Sequence, residues 1–230
     1  AHRGPRESYA TFHMRQFAGI ALGGNEKTYG EALNQRDFDV LGDYLIDQSF
    51  LHHFSMRYPE HGMSLPADSF LSMLTRAPLR QHYALADAPE RYHDQSYYFT
   101  HLPLVLSNYG RVPLPMGGEL RQLLTYFRSE GPRVIDEVDD IDLVGEFLQA
   151  LALLGDANTP LAARLADTLL AAQRPDGTWG TPEDLASGDA YEVMHPTWAA
   201  VTGLRAYWAA RQRGPEYPRM KLATLRWSVF

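Results

Sequence analysis

"QRPDGTWGTPEDLASGDAYEVMHPTWAAVTGLRAYW", residues 173–208, joins the end of one apolar-periodic segment to the start of another. Its first part holds Gln173, Gly177 and Trp179 in a Q-x-x-x-G-x-W spacing. Each residue type suits the end of a helix. A glycine permits a tight turn, a tryptophan can cover exposed helix ends, and a glutamine can bond backbone groups that lack intrahelical partners. The stretch then crosses a polar loop and resumes the helical period at His195, running to Arg213.

Outward from this turn, apolar residues recur three and four apart, and alternating β patterns are almost absent, so an all-α protein is expected. Residues 8–22 read as a first helix closed by Gly23 and Gly24, and residues 37–58 as a longer one closed by Pro59. A short helix is expected over 66–74. Asp94 is a candidate cap for a helix running to about Tyr109, with Pro103 bending it. The turn-rich "RVPLPMGG" near 111–118 is a minor boundary within what is otherwise a single all-helical domain over 1–230. Beyond it, residues 119–129 should be helical until Gly131-Pro132, and residues 139–154 and 160–173 form a central pair. Antiparallel helical hairpins, closed or partly closed into a ring around a cavity, are the simplest architecture.

The Gln173, Gly177, Trp179 pattern resembles the repeat motif of the squalene-hopene cyclase and prenyltransferase superfamily. The helix that follows, "YEVMHPTWAAVTGLRAY", is similar to that family's inner helix. The resemblance implies an α/α toroid. Class II members of that superfamily protonate their substrates with a D-x-D-D acid, whereas "DEVDDID", residues 136–142, fits neither that motif nor the D-D-x-x-D that binds diphosphate through magnesium. Fold is therefore implied more strongly than cyclisation. A second likeness is to bacterial proteins of the same toroid type that carry a Thr-His pair before a Tyr/Phe-Gly helix end and then an acidic helix. Here these are Thr100-His101, Tyr109-Gly110, and Asp140, Asp142, Leu143 and Glu146.

Composition narrows the chemistry. A net charge of −7, without any run of Lys or Arg, argues against nucleic acid and anionic membranes as partners. The absence of cysteine removes disulfides, thiolate zinc sites and cysteine nucleophiles, leaving His, Asp and Glu to hold any metal. No apolar run approaches the roughly 20 residues of a membrane span. A cytoplasmic setting is expected, with a preceding segment left open because the chain begins at Ala1. "ALGGNEKTYG" lacks phosphate-loop spacing, so no nucleotide cofactor is expected, and no nucleophile-elbow sequence supports a hydrolase triad.

Four residues stand out. Asp142 and Glu146, four apart, share one helix face. Close together, they would either raise one pKa to make a general acid or bind a cation; alternatively they complement the helix dipole. His101 lies in the aromatic "SYYFTHLPLVLSNYG", and His195 opens the last helix beside Pro196, where capping is the simpler role. Were they to converge, His101, His195 and Glu146 would make a two-histidine, one-carboxylate site for iron, zinc or manganese, with Asp142 and Glu146 as catalytic acid and base. No local spacing enforces that convergence. His13 and His53 form a rival pair, read more simply as surface residues. Tyr97, Tyr98, Tyr109 and Trp198 are candidate walls of an aromatic pocket.

The expectation is a metal-dependent enzyme, such as one tailoring natural products, that acts on a small organic or peptide-derived substrate. One rival is a metal-free, acid-catalysed terpenoid-type cyclase or isomerase; another is a non-catalytic helical module binding a ligand or partner. A homo-oligomer is left open.

Overall fold

In the computed structural model, residues 82–107, 110, 113–114 and 116–213 are described. They form six helices, with no strand among them: α1 (Pro89–Leu106), α2 (Gly118–Asp136), α3 (Ile141–Leu153), α4 (Pro160–Ala172), α5 (Pro182–Ala186) and α6 (Ala190–Arg213). The all-α reading holds. The helices expected over 8–22, 37–58 and 66–74, with His13, His52 and His53, lie outside the described residues. No described helix is long and apolar enough to cross a membrane.

α3 is the hub. α1, α2, α4 and α6 all pack on it, α6 most extensively. Its start is fixed by Asp140, in extended conformation, whose Oδ1 accepts hydrogen bonds from the backbone N–H groups of Asp142 and Leu143 at 3.1 Å each. Its interior is apolar nearly all round. Leu143, Val144, Phe147, Leu148 and Leu151 are buried, and a helix with such a sequence is stable only inside a core. Phe147 meets Phe127 of α2 edge-on at 4.9 Å, and Tyr126 of α2 meets Phe99 of α1 at 4.6 Å.

Gly145 and Gly203 explain how α6 comes so close to α3. A Cβ on Gly145 would lie 2.7 Å from the Ala199 carbonyl carbon, and one on Gly203 would overlap the Gly145 carbonyl oxygen. The two backbones are therefore in contact, which side chains at these positions would forbid.

The Q-x-x-x-G-x-W turn is built in the way its residue types suggest. α4 starts at Thr159, whose Oγ1 accepts from the Ala162 N–H, with Pro160 in the first turn. It ends at Gln173, where the chain turns extended. Gly177 adopts φ +88°, a left-handed conformation that favours glycine. Gln173 Nε2 donates to the Gly177 carbonyl at 3.1 Å. Trp179 is buried, and its Nε1 donates to the Leu169 carbonyl at 2.7 Å, satisfying a group near the end of α4. Thr159→Ala should cost about 1 kcal/mol, lowering the melting temperature by roughly 2–4 °C. Thermal denaturation followed by circular dichroism checks this.

Three helix boundaries differ from expectation. α1 begins at Pro89, so Asp94 lies within it rather than capping it. α2 runs through Gly131-Pro132 to Asp136, because the turn after Pro132 buries Val134 completely and Arg133 pairs with Glu130 at 2.6 Å. Burial of that turn outweighs the hydrogen bond that proline removes. α6 begins at Ala190 rather than His195: the Asp189 carboxylate accepts from the Tyr191 N–H at 2.8 Å, and the added turn carries His195 into the helix.

Candidate metal centre

Along α1, His93, Tyr97 and His101 follow one another at four-residue intervals and so share one face, with Thr100 beside them. On α3, Asp142 and Glu146 have the same relation. The packing of α1 and α6 on α3 brings the two series together with His195.

Thr100 Oγ1 donates to Glu146 Oε2, and His101 Nε2 lies 3.5 Å from Glu146 Oε1. His195 Nδ1 is hydrogen-bonded to Asp142 Oδ2. One ligand atom each from Asp142, Glu146 and His195 lie within 4.8 Å of one another. His101 approaches this trio from its Glu146 side. Beside the cluster, Tyr97 Oη donates to Asp140 Oδ2 at 2.8 Å, and His93 Nδ1 is 3.7 Å from the same oxygen.

The groups are largely withdrawn from water, and the carboxylates respond in opposite ways. Burial pushes the Asp142 carboxyl up to about 6, with the charges of Glu146 and Asp140 adding to the rise and the His195 hydrogen bond opposing it. Burial alone would also raise Glu146, but the charge and hydrogen bond of His101, joined by Thr100, hold it below its ordinary value. For both histidines burial favours the neutral ring and is outweighed: Glu146 raises His101, and the Asp142 hydrogen bond and charge raise His195. Tyr97 is driven well above the phenol range, first by burial and then by Asp142, Asp140 and Glu146, so it stays a hydrogen-bond donor. Asp140 is held low despite burial by the His93 imidazole beside it and by hydrogen bonds from Tyr97 and the Leu143 N–H.

Two buried atoms in this cluster, Asp142 Oδ1 and His101 Nδ1, have no hydrogen-bond partner among the described residues. Buried polar atoms rarely stay unpaired. Donors drawn from imidazole and carboxylate suit zinc, iron or manganese. A divalent cation among them would replace the protons that now separate the carboxylates from the histidines.

Of the candidate pocket aromatics, Tyr97 adjoins the carboxylates, whereas Tyr98 is 1% exposed and packs in the core beside Phe99. Trp198 is half exposed with its ring 5.6 Å from that of His195, and Tyr109 lies outside the described residues. Tyr191 stacks on His195 at 4.4 Å. Thr100 and His93 were missed as neighbours of the carboxylates. The four-residue spacing of His93, Tyr97 and His101 was the readable signal.

Fold and site together define an all-helical protein with a buried histidine and carboxylate cluster between three helices. The chain belongs to the family described as Domain of unknown function (DUF6895), whose model matches residues 65–196, more than half of its length. His101, Asp142, Glu146 and His195 all fall within that match. No curated protein and no solved structure matches the chain.

Proposed function

We propose that the protein is a metal-dependent enzyme that acts on a small organic or peptide-derived substrate. The metal is a divalent transition ion held by Glu146, Asp142 and His195, with His101 completing the set. The observation that carries this reading is the convergence of donors from α3 and α6 within 4.8 Å of one another, in a place where Glu146 is buried and Asp142 partly so. Such an ion supplies Lewis acidity and a lowered pKa for bound water. Tyr97, kept protonated beside Asp140, is placed to donate a hydrogen bond, and the faces of Tyr191 and Trp198 suit an apolar or aromatic part of a substrate.

Full-chain protein purified without a histidine tag should carry a stoichiometric metal by elemental analysis. After stripping with a chelator it should melt at lower temperature and recover when zinc, manganese or ferrous iron is restored. Absence of stoichiometric metal, with no thermal response to any of the three ions, would overturn the proposal. A second reading has one observation in its favour: the Asp142 carboxyl at about 6 can itself act as an acid near neutral pH. An isoprenoid-converting activity that survives chelation and is lost in Asp142→Asn would select it over the metal.

A further inference from the structure

Three carboxylates stand at the start of α3, on Asp140, Asp142 and Glu146, and like charges so close repel one another. Helix α1 answers two of them. Tyr97 donates to Asp140 Oδ2 at 2.8 Å, with the His93 imidazole 3.7 Å from the same oxygen. One turn further on, Thr100 donates to Glu146 Oε2, and His101 Nε2 lies 3.5 Å from Glu146 Oε1. Asp142 takes no hydrogen bond from α1 among the described residues: its Oδ2 is met by His195 of α6, and its Oδ1 is buried without a partner. Something other than a direct bond must therefore set where Asp142 stands relative to α1.

Asp140 is that link. Its Oδ1 accepts from the Asp142 and Leu143 N–H groups at 3.1 Å each, so the carboxylate is bonded to the very peptide that carries Asp142. Its Oδ2 is bonded to α1. Capping needs the side chain turned one way, with Oδ1 over the first turn of the helix, and a change of rotamer takes it off. The Asp140 side chain is 24% exposed, so water competes with the N–H groups for its oxygens. A hydrogen bond to a charged oxygen is among the stronger ones in a protein, and the one from Tyr97 fixes that rotamer. His93, at 3.7 Å, is too far for a hydrogen bond, which leaves the orientation to Tyr97.

We propose that Tyr97 is a positioning residue for Asp142, acting through Asp140. The phenol holds Asp140 in its capping orientation, the cap holds the first turn of α3, and that turn holds Asp142 against His195. Helix α1 carries His101 one turn after Tyr97, so the same latch sets the spacing between His101 and Asp142. Loss of the hydroxyl loosens the start of α3 and leaves α4 untouched, since α4 has its own cap in Thr159. The consequence for metal affinity rests on the proposed metal centre; the hold on Asp142 does not.

Amide hydrogen exchange of the metal-free full chain, read residue by residue by NMR, tests the hold directly. Tyr97→Phe should speed exchange at Asp142 and Leu143 at least about threefold. Ala162, the capped amide in the first turn of α4, should stay within about twofold of the parent. Asp140→Ser keeps a capping oxygen but is too short to reach Tyr97, so in that background Tyr97→Phe should add less than about twofold. Circular dichroism checks that each variant is folded. In zinc titrations Tyr97→Phe should lose about tenfold in affinity, again only while Asp140 is present. Unchanged exchange at Asp142 and Leu143, an equal rise at Ala162, or losses that simply add in the double variant each overturn the proposal. So does a Tyr97→Phe chain that binds zinc as tightly as the parent. A parent that binds no zinc but shows the selective rise in Tyr97→Phe upholds the proposal and removes the metal centre.

Discussion

Gly145→Ala should destabilise the fold by about 3 kcal/mol, the upper end of the usual cost of overpacking, and should also weaken metal binding. The added methyl would lie 2.7 Å from the carbonyl carbon of Ala199 and 2.9 Å from the Ala200 nitrogen. Both atoms are backbone, so no side-chain rotation can relieve the contact. The helices must part instead, by roughly the difference between that separation and an ordinary 3.5–4.0 Å contact. A comparable change at Gly131 meets only the tip of Leu161, a flexible side chain that can give way. The expected drop in melting temperature is roughly 6–12 °C for a chain of this size. The second consequence separates this substitution from a merely destabilising one. Asp142 and Glu146 ride on α3 and His195 on α6, so parting the helices widens the donor set itself. Thr159→Ala, by contrast, should lower stability without changing affinity for the metal. Denaturation melts and zinc titrations of both variants make the comparison. Equal affinities in Gly145→Ala and the parent would show that the helix crossing does not position the site.

That crossing also shows where sequence reading reaches its limit. Helical spans were legible because apolar residues recur at the helical period, and α3 and α4 are found close to their expected bounds. The Gln173, Gly177 and Trp179 turn was legible because each residue type has one main use at a helix end. Boundaries set by tertiary burial were less so. Gly131-Pro132 reads locally as a stop, and only the burial of Val134 against the rest of the core explains why α2 continues. The start of α6 had a signal that was passed over: Asp189 followed three residues later by Glu192 is the spacing of a helix start.

The site divides in the same manner. Asp142 and Glu146 share a face by local geometry alone, and their four-residue spacing announces it. Their meeting with His101 and His195 depends on how α1 and α6 dock on α3, and no spacing within the chain encodes that docking. Gly145 and Gly203 contribute to it, yet a glycine inside a helical pattern looks only like a weak point. Tyr98 shows the converse error. It neighbours Tyr97 in sequence, but one residue along a helix is a turn of about 100°, which takes it from the carboxylates into the core.

Zinc affinity should rise with pH through the region of 6 and be lost when a ligand is removed. A metal must displace the protons on its ligands. Burial has raised the Asp142 carboxyl from 3.8 to about 6, so its proton competes in a range where an ordinary carboxylate would already be bare. The sign follows: competition from Asp142 is negligible well above pH 6 and amounts to about tenfold at pH 5. His195, raised above its ordinary value by Asp142, adds to the competition in the same direction. Glu146 acts differently, since its carboxyl is held low and should remain ready to bind metal as the pH falls. In the metal-free protein the raised group has the opposite effect on stability. A carboxyl that holds its proton more tightly when folded stabilises the fold fully below about pH 3.8, and that contribution is lost as the pH rises through 6. Metal binding and the Asp142 contribution to apo-protein stability should therefore run in opposite directions across this range. Glu146→Gln and His195→Ala should each reduce affinity at least about a hundredfold, since loss of an outer-shell partner alone costs ten- to a hundredfold. Calorimetric titration with zinc at about pH 5 and about pH 7.5, on the parent and both variants, measures all of these effects. A pH-independent affinity, or one that both substitutions leave unchanged, would remove the cluster from consideration as a metal centre.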